Sequence, residues 1–597
     1  MTQASQTPLI RVATLAELQK KGVMVVTASD RPIAVFADNG KIAAVDNRCP
    51  HIGFPLHTGT LKDGILTCHW HEARFDICNG CTFDLFADDV ASYPTEVNEG
   101  VVYVADAPRL REDSAYYRQR LRHGLEHNIS LIQAKAILGL RRNGSDWCEI
   151  IREITSYGCR NHDDWNQGMT ILAIVGNLVP YLSEKTAYHA LLRASRQVAA
   201  DCNQAVPHRQ REPLSNGDHS AERLTRWMRD WVHCRHRDGS ERVLLTAVKK
   251  FGPARELADL LYSAGLDRVY AQVGHVFDFT NKGFELLETI GWDDAVEVLP
   301  LVLHRMVMAR GAEEDAHWHH PIEIIEPLRE AERQIADCLR EGRDKAWVTD
   351  SGLLEVLLGD DPLHIIETLQ HALRDGAAPR ELSKRVAYAA ALRLARFAMT
   401  NEVADWFNPR HSFIFANAVH QALGRCESPG VVRGIFQGAL SVYMGRFLNL
   451  PSAKLPEETG DLDELPHDPE ELCAHLLDLL DRQADVTSAA LTVSRYLQQR
   501  HPVKALIDTL TLATVREDFD FHAVQVLDAG VQQYHEWNGG PEGEHILVGV
   551  ARQLAAFCPT PRAGHQTATI AMRLQRGDKI YEDLDYTPAE ATESEVS

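Results

Sequence analysis

Cys49-Pro50-His51 and, after sixteen intervening residues, Cys68-His69-Trp70-His71 place one thiol and one imidazole in each of two short stretches. Two loops meeting at a tip could present all four side chains to metal. Thiolates are soft, anionic ligands suited to iron with bridging sulfide or to zinc, and neutral imidazoles lower the negative charge such a site carries. Cys78 and Cys81 follow as a C-x-x-C, but they flank Asn79-Gly80, a turn signal, and read as turn residues.

Histidine is also abundant further on: 24 of the 28 lie beyond residue 107. His123, Glu126 and His127 fall on one face of an expected helix, as do His364, Glu367 and His371. His317-Trp318-His319-His320 precedes Pro321 and reads as a loop. His275 and His411 head two copies of one frame, H-x-F-x-F-x-N-x₃-[EQ]-x-L, and each follows an Arg-Glu-Leu, Arg255 in one copy and Arg380 in the other. Equivalent positions of a duplicated unit can meet across a pseudo-two-fold axis, so His275 and His411 are candidate ligands of a second metal site, with His123, Glu126 and His127 as the rival set. Asn281 and Asn417, six residues on, are expected to brace neighbours, and the Phe residues of the frame to be core.

The elements that must position these groups change character near residue 107. Before it, short β-rich runs alternate with breakers such as Asp38-Asn39-Gly40, predicting a small antiparallel domain over 1–107. A linker is expected over 108–116, then an all-helical domain over 117–585 with repeat units at about 245–310 and 370–450. An acidic tail, 586–597, has the composition of a disordered segment. A chain of 597 residues exceeds one core. Its net charge of −22 excludes a polyanion partner such as nucleic acid. The longest apolar stretch, Met169–Leu182, contains Asn177 and Pro180 and is too short for a membrane span. No export signal opens the sequence, and eight of the twelve cysteines are scattered singly, so the expectation is a cytoplasmic protein without membrane association.

The two Cys–His pairs, with Asp46-Asn47-Arg48 before them and Gly53, Pro55-Leu56, Phe75-Asp76 and Gly80 around them, resemble the Rieske [2Fe–2S] family over about residues 10–105. The resemblance implies a [2Fe–2S] cluster with Cys49 and Cys68 on one iron and His51 and His71 on the other. High-potential members carry an extra disulfide-forming Cys in each loop. Phe54 and Trp70 stand at those positions here, which implies the ferredoxin and oxygenase branch. His69 and Glu72 replace the family's usual Pro and Gly, and Glu72 beside His71 should favour the oxidised cluster. The helical half bears a faint resemblance to questin-oxidase-like proteins, with no site motif that can be matched.

The mononuclear-iron pattern of Rieske oxygenases, D-x₂-H-x₄-H, is not reproduced: Asp361-x₂-His364 continues to His371. No G-x-G-x-x-G or P-loop is present, so electrons are expected from a separate reductase or ferredoxin. The leading expectation is an oxidoreductase that passes those electrons to a His-lined, iron-containing site in the helical domain and oxidises a small organic substrate. The alternative is an electron-transfer or redox-sensing protein whose helical domain docks partners without catalysis.

Overall fold

The computed structural model describes residues 8–28, 31–109, 113–348, 352–459, 464–482 and 485–578; the expected acidic tail lies outside them. The chain forms two compact units, Met1–Asp146 with Ala563–Ser597, and Trp147–Arg562.

The first unit begins as a β-domain: β1 (Leu9–Thr14), β2 (Val23–Ala28), β3 (Arg31–Asp38), β4 (Lys41–Asp46), β5 (Thr60–Lys62), β6 (Ile65–Thr67), β7 (Arg74–Asp76), β8 (Ser92–Tyr93), β9 (Thr95–Asn98) and β10 (Val101–Ala105). They pair as three antiparallel sheets, β1-β10-β9, β2-β3-β4-β8 and β5-β6-β7. β3 shows how the core is divided. Because side chains alternate along a strand, Ile33 and Val35 join Val102 and Val104 on one side, and Ala34 and Phe36 join Leu66 and Phe75 on the other. The second of these clusters also buries Cys49 and Cys68. Asn39 and Gly40, at φ +48° and +78°, make the two-residue turn that joins β3 to β4.

One helix interrupts the β pattern, α1 (Leu15–Lys21), which the strand reading of this region overlooks. It is nucleated by a capping box in which the Thr14 hydroxyl accepts from the Glu17 N–H and the Glu17 carboxylate accepts from the Thr14 N–H. Beyond the sheets, α2 (Ser114–Glu126) and α3 (Ser130–Arg142) pack on each other, and the C-terminal helix Ala563–Arg576 packs on α3.

The second unit is helical. Its elements are α4 (Trp147–Asn161), α5 (Gln167–Leu178), α6 (Glu184–Cys202), α7 (Ala221–His233), α8 (Arg237–Phe251), α9 (Arg255–Gly265), α10 (His275–Ile290) and α11 (Ala295–Met308). Next come α12 (Ile325–Gly342), α13 (Leu353–Leu357), α14 (Pro362–Arg374), α15 (Pro379–Ala395), α16 (Phe407–Arg425) and α17 (Pro429–Met444). The last are α18 (Pro469–Leu479), α19 (Val486–Gln498), α20 (Val503–Arg516), α21 (Phe521–Glu536) and α22 (Pro541–Phe557).

Four of these helices close a central ring, α5 against α10, α10 against α16, α16 against α21 and α21 against α5. Each is flanked in sequence by helices that pack on it: α4 and α6, α9 and α11, α15 and α17, α20 and α22. The two frames noted in the sequence are α10 and α16, neighbours in this ring. No helix among the described residues is long and apolar enough to cross a membrane.

Candidate metal centres

The first loop leaves β4 and runs to a 3-10 turn at Leu56–Thr58; the second joins β6 to β7. Both are built on one hydrogen-bond frame. Cys49 N–H donates to Phe54 O at 2.8 Å, and Cys49 O accepts from Gly53 at 2.7 Å. Cys68 N–H donates to Ala73 O at 2.9 Å, and Cys68 O accepts from Glu72 at 3.0 Å. Gly53 and Glu72 are thus equivalent corners, and both lie in the left-handed region, φ +86° and +60°. Glycine takes that conformation freely; Glu72, where the family usually has Gly, holds it at a cost of about 1–2 kcal/mol.

The frames bring the four candidate side chains together. The Cys49 and Cys68 thiols hydrogen-bond each other, which raises the pKa of Cys49, helped by burial, and lowers Cys68 to about 6. The His51 and His71 rings lie 4.8 Å apart, edge to face. Burial, then the neighbouring His71, lowers His51 to about 4, so its ring is neutral, and its buried Nδ1 has no hydrogen-bond partner. An orphaned, neutral imidazole nitrogen beside two thiols, one readily ionised, is a donor set that fits a mixed thiolate–imidazole iron–sulfur cluster. His71 and Trp70 are exposed, while Cys49 and Cys68 are buried, so the imidazole edge is the one open to solvent. Phe54 and Trp70 stack at 5.5 Å, giving the two loops an aromatic contact. His57 is anchored to Asn47 Oδ1, and His69 sits on the surface against Thr60.

In the second unit the expected pair does meet, and a third histidine joins it. His411 Nε2 lies 3.0 Å from His275 Nε2, which lies 3.1 Å from His522 Nε2. The three form the one group of this kind among the described residues. His411 is buried and the other two are partly buried. Each sits in the first turns of its helix, α10, α16 or α21.

The far side of one ring fixes its tautomer. His411 Nδ1 donates to Phe407 O at 2.6 Å, and His522 Nδ1 faces the Asp520 carboxylate at 3.3 Å. In a neutral ring so held, Nε2 carries the lone pair. The His411 lone pair therefore points at His275 Nε2. Burial, then the neighbouring histidines, lowers His275 far below its ordinary pKa, and burial with His522 lowers His411 to about 3. Burial raises the Asp520 carboxyl, but His522 and Arg410 outweigh it and leave it at about 2, charged. A metal about 2.1 Å from each nitrogen with right-angle bonds puts adjacent nitrogens about 3.0 Å apart. The two observed spacings, His411 to His275 and His275 to His522, match that value. The Phe279 ring stacks on His275 at 4.9 Å and Phe407 covers His411 at 3.9 Å, giving the site apolar walls.

His522 heads a third copy of the frame, which the sequence comparison missed because Val524 and Val526 replace both Phe and Asp528 replaces Asn. Gln532 keeps the [EQ] position. The residues at the Asn position form a polar layer. Asn281 donates to Glu285 at 2.8 Å, Asn417 to Gln532 at 2.8 Å, and Asn177 of α5 donates to Glu285 at 2.8 Å and to Asp528 at 3.2 Å. Lys282 lies between Glu285, at 2.7 Å, and Asp528. The asparagines brace the ring, as expected.

The remaining candidates are not members of this group. His123 and His127, rings 4.5 Å apart, lie with Glu126 at the end of α2 in the first unit, where Glu126 and His127 are exposed. His364, Glu367 and His371 line the exposed face of α14, and exposed His317 pairs with Asp315. Cys78 and Cys81 are exposed free thiols in an Asx-braced turn.

Comparison with known proteins bears on the first centre. The Rieske [2Fe-2S] domain family matches residues 9–94. The ferredoxin component of the naphthalene 1,2-dioxygenase/salicylate 5-hydroxylase systems of Ralstonia sp is 31% identical over 91 residues, 15% of this chain and 86% of that protein. Human apoptosis-inducing factor 3 is 34% identical over 73 residues, 12% of each chain. Among solved structures, the ferredoxin of carbazole 1,9a-dioxygenase from Nocardioides aromaticivorans IC177 aligns at 25% identity and a TM-score of 0.16, over 17% of this chain and 98% of that one. With both Cys–His loops inside the matched segment, this chain belongs, through its N-terminal domain, to the Rieske [2Fe–2S] family.

Proposed function

We propose that the [2Fe–2S] cluster of this domain sits on Cys49, Cys68, His51 and His71, and that the chain is an oxidoreductase whose second centre is an iron held by His275, His411 and His522. When bound, the cluster supplies one-electron transfer and the three-histidine iron supplies the means to activate O₂. The protein's part is to hold these groups and control access. The solvent-facing edge of His71, with exposed Trp70, Phe83 and Leu85 on the same unit, is the place for an external reductase or ferredoxin to dock. In the helical unit, Phe407 O keeps the His411 imidazole in the metal-binding tautomer, and the aromatic walls favour a small apolar substrate. The related ferredoxin serves dioxygenase and hydroxylase systems by its name, which supports oxygenase chemistry as the destination of the electrons. Tethering both centres in one chain would keep donor and acceptor at high effective concentration.

The observation that carries this reading is the convergence of three imidazole Nε2 atoms, of which those of His275 and His411 belong to rings kept neutral by burial. Metal analysis of anaerobically purified protein should find one iron beyond the cluster's pair. His275→Ala, His411→Ala and His522→Ala should each abolish that extra iron and leave the Rieske EPR signal unchanged. Ligands act as a unit, so a double variant should lose little more than a single one. An iron content that stays at the cluster's pair after iron supplementation defeats the proposal.

A further inference from the structure

The cluster loops carry their own charge environment, and the largest element of it comes from beyond the family match, which ends at residue 94. Lys135, on α3, donates to the carbonyl of Pro50, the residue between Cys49 and His51. It also pairs with Asp88 at 2.5 Å, and Arg120 of α2 pairs with the other oxygen of Asp88 at 2.5 Å. The three side chains are 13–18% exposed. They border a cavity of about 150 Å³ that also touches Cys49 and Pro50.

The charges in this region can be weighed against one another. Arg48 and Asp46, also lining the cavity, form a neutral bidentate pair. Asp88 is opposed by two cations, and the other charged groups lining the cavity, Arg31, Asp89 and Arg142, add one more positive charge, which leaves two net positive charges. The opposing charge is Glu72, next to His71, and it is exposed. An exposed charge acts through water and is screened by salt, whereas one held in a largely buried pocket acts through a medium several times less polarisable. The buried cation therefore outweighs the exposed carboxylate, the reverse of what the Glu72–His71 neighbourhood suggests in the sequence.

We infer that Lys135, held by Asp88 against the Pro50 carbonyl, is a positioning and tuning residue for electron transfer that raises the reduction potential of the [2Fe–2S] cluster. The added electron makes the cluster more negative, so a fixed cation beside the Cys49–His51 loop stabilises the reduced state. Because Lys135 lies on α3, the segment after the β-domain adapts the potential without altering the ligand loops.

The test is an EPR-monitored redox titration of the full-length, cluster-loaded protein. Lys135→Met should shift the midpoint downward by an amount equivalent to about a tenfold change in the reduced-to-oxidised ratio, about 59 mV for one electron. Arg120→Gln should shift it in the same direction, and it carries the test if Lys135→Met fails to load. Asp88→Asn should shift it upward, Lys135→Arg should leave it near wild type, and Glu72→Gln should move it less than Lys135→Met does. Opposite signs for the Lys135 and Asp88 variants are a signature that a loosened loop would not produce. Unchanged midpoints in Lys135→Met and Arg120→Gln, or downward shifts in both Lys135→Met and Asp88→Asn, would overturn the inference. Neither result touches the three-histidine iron, which is assayed separately by iron content.

Discussion

At the scale of single residues, both centres depend on imidazoles kept neutral by burial. His411 is lowered to about 3 in the folded protein against an ordinary value of 6.5. On acidification the unfolded chain binds its proton first. The stability linked to His411 is therefore fully present above about pH 6.5 and is lost as the pH falls toward about 3. His275 is displaced in the same direction and adds to the slope. For His411 alone the loss between pH 6.5 and pH 5 is about 2 kcal/mol. Metal-free protein should therefore melt at a lower temperature at pH 5 than at pH 7, and His411→Gln should flatten that dependence. Equal slopes for the two proteins would show that His411 is not the buried neutral group described here.

At the scale of elements, the approach to His275 gathers four left-handed residues within five positions. Tyr270, Gln272 and Val273 lie at φ +46°, +48° and +52°, followed by Gly274 at +92°. A β-branched residue in the left-handed region is unusual, and such strain gathers where a side chain must be held in one place. Gly274 has a second constraint: a Cβ there would stand 2.8 Å from the Cβ of Phe415 on α16. Gly274→Ala should therefore destabilise the protein by about 1–3 kcal/mol, because both the backbone and the α10–α16 contact must shift. It should also weaken iron retention in the helical unit with no change in the cluster's EPR signal. A variant with wild-type melting temperature and iron content would show that this close approach does not position His275.

At the scale of the whole molecule, the proposal requires electrons to reach the helical unit by way of the cluster. His71→Ala should lose the cluster while His275, His411 and His522 keep their iron, since the two sets lie in different units. In that variant a protein reductase, too bulky to reach the buried His411 ring, should no longer reduce the helical iron, although a small chemical reductant still should. Rapid-freeze EPR after mixing with the reductase makes the comparison. Reduction at the wild-type rate would mean that electrons enter the helical unit directly.

The sequence by itself determined the Rieske domain, because its chemistry is local. Each Cys lies within three residues of its His, and the turns around the pairs need particular residues such as Asn39-Gly40 and Gly53. The change from strands to helices near residue 107 was legible from periodicity, and the pairing of His275 with His411 from the repeated frame. Only the tertiary structure brought in His522, whose frame keeps the histidine and the polar positions but replaces both aromatics. A ring of packed helices selects for volume and polarity at each position and leaves residue identity free, so a diverged copy no longer looks like one. Lys135 was equally hidden. A lysine on a helix carries no sign of its partner until packing places it against the carbonyl of a residue 85 positions away.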